Sequence, residues 1–420
     1  MVRLNKHKKI AVGSSFLGIL TLLAALAGMN AAASTNNSTL TDHSEALING
    51  SQDALHVSAP SHSDSIDSAG AKTSSSAQTN NQMTSQKSVT TTAGSAAGSR
   101  TSAASHGSST SITNNALSSG SNVLPALSGT LFADPNGDIA QSALSFAAAN
   151  PSYESLLGRL AATPSAAWFV GASNDQQASD NYVTAATTAG QIPVLVAYNI
   201  PTRDCGGDSA GGASSDSAYQ AWAQGLVAGI GNRAAIVIVE PDALANMDCL
   251  SSSQQQARLS DIGYLIHLLK TETKARTYID AGNPTWQSVA TMAARLSDAD
   301  VAEANGFSLN VSNFETTSSN ISYGDKISSL IGGKHFVIDT SRNGNGPTTD
   351  DQWCNPAGRA VGQAPTLQTG TTFVDGFLWV KGVGGSDGAC GPSEAGTTAP
   401  AAGVWWPSYA LALLQAAGWN

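Results

Sequence analysis

From Val123 to the C-terminus, short apolar runs alternate with helix-length amphipathic stretches. The runs are Ala167 to Val170, Pro193 to Tyr198, Ala235 to Val239, Arg276 to Ile279, Gly306 to Leu309, His335 to Ile338 and Phe373 to Val380. Each ends in a polar or glycine-containing loop, and stretches such as Ala218 to Ile230, Ser253 to Lys270 and Thr285 to Leu296 have the length of helices. Strand and helix in alternation imply parallel strands joined by helical crossovers. About seven strands in one domain predict the class α/β: a distorted, closed or nearly closed parallel β/α barrel with its cleft at the C-terminal ends of the strands. No strict internal repeat is visible.

The pattern stops at the N-terminal side. Arg3, Lys6, Lys8 and Lys9 precede an apolar run from Ile10 to Met29 and an Ala31-Ala32-Ala33 step, which predicts a signal peptide over residues 1–33 and export from the cell. The run is just long enough to serve instead as an uncleaved membrane anchor, but Gly13, Ser14 and Ser15 weaken it. Residues 34–121 are mostly Ser, Thr, Ala, Asn and Gly without one Phe, Tyr or Trp, so they cannot bury enough apolar area to offset their ordering entropy. They predict a solvated tether with no carbohydrate-binding module hidden in it, and His43, His56, His62 and His106 fall there, away from any preorganised metal site. Residues 122–420 suit one large domain.

Charge and cysteines narrow the class. A formal charge of -10 disfavours nucleic acid and anionic membrane as partners and suits a secreted protein. Four cysteines behind a leader point to two disulfides, for which three pairings exist on paper. Cys205 with Cys249 and Cys354 with Cys390 is the favoured set, because each pair joins loops that follow nearby strands; each would constrain the unfolded chain by about 4 kcal/mol. A zinc site fits poorly, since there is no C-x-x-C and only His267 and His335 remain in the domain. No metal and no cofactor are expected.

The chemistry lies in where the acids fall. Asp204, Asp242 and Asp280 are spaced by 38 residues at each step, about one strand-loop-helix unit, and each follows the end of an apolar run. Asp339 ends a later run and Asp387 follows FLWV through a glycine-rich loop, so five carboxylates gather at one mouth of the barrel. Any one of them could instead be an N-cap for the next helix. Five together, beside Tyr198, Arg203, Trp168, Trp286, Trp379 and Lys381, are hard to assign to capping. Crowded carboxylates repel, so one keeps its proton near neutral pH and can act as a general acid. Flat aromatic faces among acids suit a sugar chain.

Two segments, VAYNIPTRDCGGDSAGG from Val196 and IVIVEPDALA from Ile236, resemble the signature motifs of glycoside hydrolase family 6, the cellulases that include endoglucanases and cellobiohydrolases. YIDAGNPTW, NGFSLNVSNF, DTSRNGNGP, WCNPAGRAVG and LWVKGVGGSDGAC follow in the order that this family has them. The resemblance implies that Asp242 protonates the glycosidic oxygen, that Asp204 keeps the proton on Asp242 and steers the attacking water with Tyr198, and that Asp387 is the candidate base. It places Asp280 at the substrate or near its developing charge, and Trp168, Trp286, Asn310, Trp353 and Lys381 at sugar subsites. It further implies a monomeric enzyme that cleaves a β-1,4-glucan with inversion.

Two departures stand near the cleft. Val383 and Gly385 replace the proline and glutamate that usually precede the base, which implies a lost sugar contact and a looser loop; Asn283 stands where histidine is frequent. The compact Cys354 to Cys390 interval favours an open cleft and internal cleavage over a cellobiohydrolase tunnel. The G-x-S-x-G match at GGSDG, with Ser386, lacks a following helix and any later histidine, so no esterase triad can be built. A non-catalytic glucan-binding protein would keep the aromatics but lose the acid, and Asp242 is present. Arg203 and Arg342 are expected to pair with neighbouring acids.

Overall fold

A computed structural model describes residues 128–390 and 399–420; the predicted leader and tether lie outside the described residues. Seven parallel strands run in strict chain order: β1 (Ala167–Phe169), β2 (Val194–Ala197), β3 (Ile236–Val239), β4 (Arg276–Asp280), β5 (Gly306–Leu309), β6 (His335–Asp339) and β7 (Val374–Leu378). Every predicted run therefore matches a strand: β1, β2, β3 and β7 are trimmed at one or both ends, β5 coincides, and β4 and β6 run one residue further, to Asp280 and Asp339. Between and around them lie α1 (Asp138–Ala149), α2 (Glu154–Ala161), α3 (Asp175–Thr188), α4 (Asp216–Ile230), α5 (Ser252–Glu272), α6 (Val289–Asp298), α7 (Thr317–Leu330) and α8 (Pro407–Ala416).

The strands are buried on both faces, as in parallel sheets covered by helices. Alternate residues split between two cores. Val194, Val196, Ile236, Ile238, Tyr278 and Val337 fill the barrel interior. Leu195, Ala197, Val237, Ile279, Phe307 and Phe336 pack with residues of α3 to α7. At Gly306 in β5 a Cβ would lie 1.8 Å from the His335 carbonyl oxygen, so only glycine lets these two strands approach.

The barrel is open on one side. β1 and β7 share no ladder, and across the seam Ala166 N–H donates to Trp379 O at 3.0 Å and Trp168 Nε1 donates to Val380 O at 2.8 Å. α1, α2 and α8 cover a separate apolar cluster built on Trp379, Leu157 and Leu414.

One predicted helix starts late. Thr285 to Ser288 is a turn rather than helix because the Asn283 side chain accepts the Thr285 N–H at 3.1 Å, and Ser288 then caps α6 by accepting from Thr291 N at 3.1 Å.

Candidate active site

Serine and threonine settle the capping question. The helices that follow β2 to β5 are capped by Ser215, Ser251, Ser288 and Thr316, whose side chains accept backbone N–H groups of the first turn. None of the five strand-end acids is used in this way. They lie at the same end of the sheet, and all are nearly or fully buried.

Their surroundings divide them. Asp204 and Asp242 both have left-handed backbone, with φ of 53° and 68°, in the loops after β2 and β3. One oxygen of Asp204 accepts Ser209 N–H at 2.8 Å. The buried Tyr198 hydroxyl lies within the field of both: burial first, then the charges of Asp242 and Asp204, push its pKa well above the usual phenol value. Arg203 stacks its guanidinium 4.6 Å above the Tyr198 ring. It does not pair with an acid as expected. Its N–H groups go to the carbonyls of Tyr198 at 2.7 Å and Ser209 at 2.9 Å, which fix the ring and the turn.

Asp280 has no exposed surface. It accepts Asp242 N–H at 3.0 Å, Gly282 N–H at 3.1 Å and Ser308 Oγ–H at 3.2 Å, so it holds the Asp242 backbone rather than presenting a bare carboxylate. Burial pushes its pKa up to about 7 against those hydrogen bonds. Asp339 is likewise an anchor, taking N–H groups from Ser312, Ser341, Val380 and Lys381 at 2.9 to 3.2 Å. Of the five acids expected to face the cleft, Asp280 and Asp339 are thus taken up with ties to neighbouring loops.

Asp387 is held differently. Arg342 Nη1 lies 3.0 and 2.9 Å from its two oxygens, Lys381 Nζ lies at 3.2 Å, and Asn355 N–H donates at 2.9 Å. Burial would raise its pKa, but the two cations outweigh it and hold the carboxyl below the usual range. Burial lowers Lys381 to about 8, opposed by Asp387. The loop that was expected to be loose is pinned: Ser386 N–H donates to Val404 O at 3.0 Å and Trp406 N–H to Gly384 O at 2.7 Å. Both bonds tie the loop to the segment before α8. Ser386 is itself buried and donates its hydroxyl to Pro400 O at 2.8 Å, which is no nucleophile's setting.

The remaining candidates split. Trp168 is half-buried and, with Lys381, lines a cavity of about 250 Å³ at the seam, shared with Asp134, Thr163, Ser165 and Gly385. Trp353 is half-buried beside Cys354. Trp286 is 4% exposed and belongs to the helix-side core, whereas Asn310 is fully buried, its amide N–H donating to the Asp339 carbonyl at 2.8 Å and its oxygen accepting Glu315 N–H at 3.1 Å. Both are thus buried in the absence of a sugar, Asn310 by ties to the β6 end and the segment before α7. The disulfides join Cys205 to Cys249 and Cys354 to Cys390, with Cα separations of 6.2 and 5.8 Å, which is the favoured pairing.

The profile of the Glycosyl hydrolases family 6 matches residues 127–417. The chain belongs to this family. Endoglucanase A of Thermobispora bispora is 43% identical over 267 residues, 61% of this chain and 58% of that protein. Endoglucanase 1 of Streptomyces halstedii is 40% identical over 296 residues, 67% of this chain and 88% of that protein. The chain spans a little over half the length of some curated relatives that it matches. Among solved structures, the endoglucanase Cel6 of Mycobacterium tuberculosis, in complex with methyl-cellobiosyl-4-deoxy-4-thio-β-D-cellobioside, is 42% identical with a TM-score of 0.65, covering 70% of this chain and 99% of that one.

Membership explains the seven-stranded open barrel. It also explains why the family 6 motifs coincide with the strand-end loops. Sequence reasoning assigned no part to Glu240 or Arg258. Glu240 stands inside IVIVEPDALA, and a charged residue directly ahead of a proline and the candidate acid was the signal available.

Proposed function

We propose that this family 6 chain is an exported endo-β-1,4-glucanase that hydrolyses internal bonds of cellulose or a related β-1,4-glucan with inversion. The observation that carries it is the joint setting of Asp204, Asp242 and Tyr198: two carboxylates on neighbouring strand-end loops act on one buried hydroxyl. Asp242 donates the proton to the leaving oxygen. Asp204 repels loss of that proton, and with Tyr198 orients a water on the far face of the sugar. An inverting enzyme needs its acid and base about 6.5 to 9.5 Å apart so that the water fits between them.

We assign Asp387 to the water side. Arg342 and Lys381 keep it ionised, so it is always in the form a base needs but is a weak one. Its larger effect is to fix Lys381, beside the Trp168 face on which a glucosyl ring can stack. Endo action is supported by the 40–44% identity to proteins named endoglucanase, against 29–30% for those named cellobiohydrolase C, and by the short Cys354–Cys390 interval. Two disulfides agree with an oxidising compartment.

The test is hydrolysis of carboxymethyl cellulose, with viscosity, reducing ends and product anomer followed for the parent and Asp242→Ala. Rapid viscosity loss per bond cut, α-anomeric products and an inactive variant are expected. A parent inactive on every β-glucan offered would sink the proposal.

A further inference from the structure

The loops after β2 and β3 carry an unusual density of strained backbone. Thr202, Asp204 and Cys205 have φ of 57°, 53° and 50°, and Glu240 and Asp242 have φ of 47° and 68°. None is glycine, and the left-handed conformation costs an ordinary residue roughly 1–2 kcal/mol. Such strain persists only where the surroundings over-determine it.

Two buried side chains supply that constraint. Glu240, 1% exposed, ends β3 but reaches back to β2: its carboxylate accepts Asn199 N–H at 3.1 and 3.0 Å and Ile200 N–H at 3.0 Å. Those amides follow Tyr198 and lead into the turn that holds Asp204. Arg258, 3% exposed on α5, spans the same gap from behind, donating to Pro201 O at 3.0 Å and Thr202 O at 2.9 Å on one loop and to Ala243 O at 3.1 Å on the other. Neither side chain lines the Trp168 cavity. The Cys205–Cys249 bond closes the outer rim of the same two loops.

We propose that Glu240 and Arg258 are a positioning pair that locks the Tyr198–Asp204 loop against the Asp242 loop and so sets the spacing between proton donor and water. This rests on the roles given above to Asp204, Tyr198 and Asp242. The ties run to backbone atoms, so they fix the strained φ angles that aim the acids and leave sugar binding to the aromatic surfaces. Turnover and affinity therefore separate.

The test measures kcat and KM on a soluble cello-oligosaccharide for Glu240→Gln, Arg258→Met and the double variant. Affinity for a thio-linked cello-oligosaccharide is measured by calorimetry alongside thermal unfolding. Each single variant should lose about 10- to 100-fold in kcat, the scale of a misplacement near 1 Å, with KM and ligand affinity changed by less than about threefold. The double variant should lose little more than either single one, because the two residues act as a unit. Unchanged kcat, or kcat and affinity falling together, would overturn the pair. Should either variant fail to fold, Tyr219→Phe, which removes the hydroxyl facing the Glu240 carboxylate from α4, must still lower kcat without changing affinity, and failure to do so counts against the pair equally. A parent inactive on β-glucans would instead remove the functional reading, so the two failures are distinguishable.

Discussion

The two halves of the barrel mouth hold buried carboxylates by opposite means. At the ends of β3 and β4, Glu240 and Asp280 are kept by backbone amides and hydroxyls, and burial raises both to about 7. Beyond β7, Asp387 is gripped by Arg342 and Lys381 and stays ionised below the usual carboxylate value. An amide donor satisfies a carboxylate's lone pairs without contributing a full charge, so burial wins on the first side. A buried guanidinium and ammonium reverse the outcome on the second. One side of the mouth is therefore built to keep protons near neutral pH and the other to keep a fixed negative charge.

Four experiments would break or sharpen this contrast. Asp242→Ala should lower kcat about 10²- to 10⁴-fold, the range of a lost general acid, measured on a β-glucan; a loss under tenfold would move the donor elsewhere. Arg342→Met should destabilise by about 3–5 kcal/mol in denaturant unfolding, because it strips the guanidinium from a buried charge, and an Asp387→Asn, Arg342→Met double variant should recover part of that loss.

Stability should fall by a few kcal/mol between about pH 4 and pH 7, because Glu240 and Asp280 stay protonated in the fold after the unfolded chain has released those protons. Their contribution is complete below their ordinary values and is lost as pH rises through about 7; Glu240→Gln or Asp280→Asn should flatten the slope. Asp387 has the opposite sign, its contribution disappearing only as pH falls through its lowered value. The smallest effect is Ser308→Ala, which removes one hydrogen bond to the ionised Asp280 and should raise its pKa while costing about 1 kcal/mol. Carbon-detected titration of the carboxylate would read it.

The strands, the order of the sheet and the disulfide pairing were legible because they depend on local apolar runs and on distances along the chain. The acids were legible as a set through their spacing and the motifs around them. Which way each carboxylate turns was not. The 38-residue spacing made Asp280 look like a repeat of Asp242, yet the register sets it level with Glu240 at the end of β4, where Ser308, from the next strand, and two backbone amides meet it. The family resemblance put Asn310 and Trp286 at subsites, whereas their burial is set by packing from neighbouring elements that no local pattern announces. Arg342 pairs with Asp387, a residue 45 positions away, and no local pattern announces that choice over Asp339.

Strict sequential strand order also bears on how the protein is made. Each ladder joins strands that are neighbours along the chain, and each disulfide joins cysteines that are consecutive in it, 44 and 36 residues apart. Both cysteines of the first pair therefore precede Cys354, so in a chain made N-terminus first that pair is present before either cysteine of the second. The seam, where Trp168 meets Val380, is the one strand-to-strand junction that must wait for the whole barrel.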